Sequence, residues 1–78
     1  MMGIIDYGMG NLFSVSKALE RLGVDYKIGD RPQSLGACDG YILPGVGAFP
    51  DAMKALQEHG FIDFIKDKVT EGVPVYGI

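Results

Sequence analysis

Apolar residues in this chain fall into two alternating rhythms, short continuous runs and stripes at helical spacing. Gly3-Ile4-Ile5-Asp6-Tyr7 is apolar and β-branched and predicts a short buried strand. Gly8-Met9-Gly10-Asn11 follows as a turn. Beyond it Leu12, Val15, Leu19 and Leu22, with Ala18 beside them, recur at helical spacing, while Ser14, Lys17, Glu20 and Arg21 lie off the stripe. Asn11 or Gly10 caps this helix, since an Asn side chain satisfies free N–H groups of a first turn, and Gly23 ends it. Val24-Asp25-Tyr26-Lys27-Ile28 alternates apolar with polar and predicts a strand with one face partly exposed. Gly29-Asp30-Arg31-Pro32 breaks it, and Pro32-Gln33-Ser34-Leu35 suits one helical turn.

Gly40-Tyr41-Ile42-Leu43 is a third strand and runs into Pro44-Gly45-Val46-Gly47-Ala48-Phe49. Pro50 suits the first turn of a helix, where its missing N–H costs nothing, and Asp51 favours the positive helix end. Ala52, Met53 and Leu56, with Ala55, form the next apolar stripe, which His59-Gly60 closes. Another helical segment carries Ile62, Ile65 and Val69, flanked by Phe61 and Phe64, and Gly72 ends it. Val73-Pro74-Val75-Tyr76-Gly77-Ile78 reads as a fourth strand. The order β-α-β-turn-β-α-α-β predicts an α/β fold, with a parallel sheet joined by right-handed crossovers. Its strands are expected to be buried on both faces.

Composition narrows the class without choosing a function. Hydrophobic residues make up 47% and mean hydropathy is +0.17, too apolar for a disordered chain. No apolar run approaches the roughly 18 residues of a membrane span, and no basic segment precedes the first strand to suggest a signal peptide. A single cysteine fits a reducing, cytoplasmic setting. The net charge of −3 and the scattered seven basic residues argue against nucleic acid and anionic membranes as partners. Four strands in 78 residues with an open edge make a marginal domain. Residues 1–78 are therefore expected to be the amino-terminal part of a larger single domain.

The candidate chemistry gathers at residues 41–49. A loop at the carboxyl end of a parallel strand is where open α/β sheets place ligands. Glycines at 45 and 47 are free to adopt positive φ and to let the backbone approach a ligand closely. Unpaired N–H groups there suit a phosphate or an oxyanion, and the residues alone leave both open. Cys38 precedes the third strand with no His or basic neighbour to activate it, and reads as structural. His59, at a helix end, reads the same way. The turn at 8–11 is not a dinucleotide fingerprint, because position 13 is Phe where G-x-G-x-x-G needs a glycine. Tyr7, Phe13, Phe61 and Phe64 read as packing residues, with Phe13 placed near enough to a helix start to meet a partner.

Three segments together resemble one family. Ile4–Leu12 (IIDYGMGNL), Asp39–Phe49 (DGYILPGVGAF) and Pro74–Ile78 (PVYGI) are similar to the glutamine amidotransferase subunits of imidazole glycerol phosphate synthases, in order and with family-like spacing. The resemblance implies a class I, triad-type amidotransferase: a flavodoxin-like parallel sheet with helices on both faces. These residues would be its amino-terminal half. It implies glutamine as substrate, hydrolysed through a γ-glutamyl thioester on a Cys-His-Glu triad. It implies ammonia delivery to a (β/α)8-barrel cyclase subunit in histidine biosynthesis, and no cofactor.

Carried over by position, Gly45, Val46 and Gly47 match the oxyanion strand. The Val46 N–H is then the donor, available after a peptide flip, and Gly45 and Gly47 line the glutamine pocket. Met9, Gly10 and Asn11 match the loop facing the cyclase. The family's nucleophile follows the fourth strand in Gly-Ile/Val-Cys-x-Gly, a strained strand-to-helix turn. It is thus expected directly after Ile78, with the triad His and Glu further on, and the 78 residues alone are expected to be inactive. Other readings are a flavodoxin-like module binding phosphate or flavin at loops 8–11 and 44–47, and a non-catalytic fragment that only docks a cyclase.

Overall fold

A computed structural model describes residues 1–47 and 49–78; Ala48, in the glycine-bearing stretch, lies outside the described residues. The strands are β1 (Met2–Ile5), β2 (Tyr26–Gly29), β3 (Gly40–Leu43) and β4 (Val75–Gly77). The helices are α1 (Leu12–Arg21), α2 (Ala52–Glu58) and α3 (Phe61–Thr70), with a 3₁₀ turn at Pro32–Leu35. All pairings are parallel, in the order β2-β1-β3-β4. This is a flavodoxin-like α/β order, whose strand sequence reverses direction between β1 and β3.

The pleat divides the core into two layers. Ile4 and Ile42 face one side and pack with Leu19 of α1, joined by the half-buried Leu12 and Val15. Ile5, Tyr41 and Leu43 face the other side with Leu35, Ala52, Leu56 and Phe61. Alternation of side chains along a strand sends neighbours to opposite faces, so the continuous run Ile4-Ile5 feeds both layers. Phe64 joins Tyr41 and Phe61 edge-on, at centroid distances of 5.2 and 5.9 Å.

The helix ends follow local chemistry. Asn11 is the N-cap of α1 and its Oδ1 accepts from the Ser14 N–H at 3.0 Å. Gly23, Gly60 and Gly72 each stand just past a helix with φ of 71°, 77° and 84°.

Several expectations are corrected. Only β3 is buried at every position; β2 and β4 are the sheet edges, where Ile28 and Tyr76 are exposed. β1 ends at Ile5 and β4 begins at Val75, so both are shorter than their apolar runs. Leu22, Ala18, Met53 and Val69 fit the helical stripes but are exposed. Each helix touches the sheet along a narrower face, and Ser16 is buried in α1, where its hydroxyl bonds the Phe13 carbonyl at 2.9 Å. In α3 the anchor is Phe61, at 0% exposure, rather than the Ile62–Ile65–Val69 stripe. Pro50 lies ahead of the N-cap Asp51, outside α2. Phe13 is not a packing residue: it is 70% exposed, with the Lys17 ammonium 5.3 Å from its ring centre.

Candidate functional site

Two loops leave the carboxyl ends of β1 and β3, the neighbouring strands at which the sheet order reverses. Residues 6–11 form one and residues 44–47, a turn, begin the other. Ligands of open α/β sheets bind at such a crevice.

The loops are pressed together through glycine. A Cβ on Gly10, whose φ is 91°, would lie 2.7 Å from the Pro44 carbonyl oxygen. One on Gly45, at φ 71°, would lie 3.0 Å from the Gly10 Cα and 2.8 Å from the Phe49 ring. Neither position accommodates another residue without movement. Gly47 differs from the expectation: its φ is not positive, it is exposed, and an added Cβ would meet nothing within 4 Å. Its side of the turn faces open space.

A hydrogen-bond chain crosses the site. Tyr7, 1% exposed two residues past β1, donates its hydroxyl to the Pro44 carbonyl at 2.6 Å. Burial pushes the Tyr7 pKa above its ordinary 10.0, which keeps the phenol a donor. The Gly45 N–H donates to the Ile78 carbonyl, and the Ile78 N–H donates to the Leu43 carbonyl at 3.1 Å. These bonds carry the β3–β4 pairing past the strands and bring the end of β4 against the turn. A Cβ on Gly77 would lie 2.9 Å from the Val46 side chain, so β4 is packed directly under residue 46. Val46 is half-buried against the core, and among the described residues its N–H makes no backbone hydrogen bond. A groove of about 810 Å³ is lined by Gly10, Leu12, Pro44, Gly45, Phe49 and Ile78 among others, but not by Val46 or Gly47.

The remaining sequence candidates separate. Met9 is half-buried against the core, and Asn11 spends its side-chain oxygen on the α1 cap. Cys38 is buried beside Gly3 and Tyr41, as a structural cysteine should be. His59 caps α2, and its Nδ1 lies 3.2 Å from the Asp30 carbonyl. Sequence reasoning passed over the Tyr7 hydroxyl, whose only signal was a phenol at the end of an otherwise apolar run. It also passed over Gly77 as the residue that lets β4 approach Val46.

Fold and site thus define an α/β, flavodoxin-like chain with a two-loop crevice at the reversal of its parallel sheet. No family model matches the chain. Over all 78 residues it is 62% identical to imidazole glycerol phosphate synthase subunit HisH of Halalkalibacterium halodurans, covering 36% of that protein. It is 59% identical to HisH of a Geobacillus strain and 54% identical to that of Bacillus subtilis, covering 37% of each. The chain is therefore similar from end to end to an amino-terminal portion of HisH, and spans little more than a third of the length of these curated relatives.

Proposed function

We propose that this chain forms the oxyanion side of a glutaminase site in a glutamine amidotransferase that supplies ammonia to a (β/α)8-barrel cyclase. In this reading the Val46 N–H stabilises the negative oxygen that develops when a nucleophile attacks the glutamine side-chain carbonyl. Gly45 and Gly47 border the glutamine, and Met9, Gly10 and Asn11 face the cyclase. The nucleophile is a cysteine directly after Ile78 in the polypeptide as encoded, with the triad His and Glu beyond it. The surroundings are cytoplasmic; among the described residues no helix is long and apolar enough to cross a membrane.

One observation carries the reading: the carboxyl end of β4 is fastened to the oxyanion turn through the Gly45 N–H and Ile78 carbonyl. A nucleophile on the turn after β4 would start beside the Val46 N–H. The names of the similar proteins support the synthase context. The flavin or phosphate alternative has one helix-start N–H fewer to use, because Asn11 already occupies the Ser14 N–H at the start of α1. The test is ammonia release from glutamine by the full-length polypeptide as encoded, with and without the cyclase subunit. Cyclase-stimulated release is expected; none in either case would refute the proposal.

A further inference from the structure

The peptide unit joining Pro44 to Gly45 is held at both ends. Its carbonyl accepts from the buried Tyr7 hydroxyl at 2.6 Å, and its N–H donates to the Ile78 carbonyl. Upstream, the pyrrolidine ring of Pro44 fixes φ. Downstream stands Gly45 at φ 71°, followed by a Val46 N–H with no backbone partner among the described residues. Three restraints therefore stop at the Cα of Gly45, and freedom begins there.

We propose that Tyr7 is a positioning residue for the oxyanion turn: its hydroxyl clamps the Pro44–Gly45 peptide, so that rotation is confined to the next peptide, the one bearing the Val46 N–H. Turning the Gly45–Val46 peptide changes ψ of Gly45 and φ of Val46, and breaks neither clamp bond. Without the hydroxyl, the buried Pro44 carbonyl loses its donor and the first peptide becomes free to follow the second. The oxyanion donor would then sample more orientations, which loosens its aim at the transition state. The rest of the tyrosine is a core ring at 1% exposure that phenylalanine would fill equally well. The hydroxyl is what packing does not explain. This inference rests on the glutaminase reading for its catalytic consequence, but not for the clamp itself.

The test is Tyr7→Phe in the full-length polypeptide as encoded, with two readouts. By NMR, exchange of the Gly45 amide should quicken about tenfold, the effect of losing one hydrogen bond, while the Ile4 and Ile42 amides in the sheet stay unchanged. In the glutaminase assay with the cyclase subunit, kcat should fall about tenfold with KM within about twofold. Unchanged Gly45 exchange overturns the clamp. Quickened exchange with unchanged kcat overturns the positioning role. If the unsubstituted enzyme releases no ammonia, the glutaminase reading fails, while the Gly45 exchange still decides the clamp. Should Tyr7→Phe not fold, the unsubstituted protein decides: a Tyr7 hydroxyl proton exchanging as fast as that of the exposed Tyr76 overturns the proposal.

Discussion

At the scale of single residues, the glycines of the two loops are not equivalent. Gly10 and Gly45 combine positive φ with backbone or ring atoms within 3.0 Å of an added Cβ, while Gly47 has neither constraint. Gly10→Ala should therefore cost about 2 kcal/mol, from the strained backbone and the contact with the Pro44 carbonyl. Gly47→Ala should stay within about 0.5 kcal/mol. Urea unfolding of both variants checks the contrast, and equal losses would mean the loops are not packed as described. On the proposed glutaminase reading, a role for Gly47 would show in glutamine turnover and not in folding.

At the scale of elements, helix starts and anchors divide the stability unevenly. Asn11→Ala removes the side-chain acceptor of the Ser14 N–H and should cost about 1 kcal/mol. Phe61→Ala empties a fully buried site between α3 and the sheet and should cost about 3–5 kcal/mol. Thermal unfolding should rank Phe61→Ala well above Asn11→Ala. Strand β3, the α1 cap and the glycine ends of α1, α2 and α3 could be read from sequence because each is set by neighbouring residues. The exposure of Leu22, Met53 and Val69 could not. Periodicity defines which residues share a face, but not how wide a strip of that face the sheet covers. The alternation of residues 24–28 already marks β2 as partly exposed, whereas the apolar run of β4 does not show how much of the strand is covered.

At the scale of the whole molecule, the site is made by topology. The reversal of strand order between β1 and β3 sets their two loops side by side, and β4 then closes on the second loop. The motifs marked both loops, but the Tyr7–Pro44 bond joins residues 37 positions apart and had no local trace. Burial of the Tyr7 phenol also gives the fold a pH dependence. Burial raises the Tyr7 pKa above 10.0, so its contribution to stability is fully present below pH 10 and is lost as pH rises through the raised value. Alkaline unfolding should start at higher denaturant sensitivity above pH 10, and Tyr7→Phe should remove that part of the loss.

If the Val46 N–H is the oxyanion donor, proline at 46 disables it twice over, by deleting the hydrogen and by fixing the φ through which that peptide turns. In the full-length polypeptide assembled with its cyclase, Val46→Pro should lower glutaminase kcat by about 10²–10³, with circular dichroism and complex formation retained. A folded, assembled Val46→Pro enzyme turning over glutamine at the unsubstituted rate would exclude the Val46 N–H as the oxyanion donor.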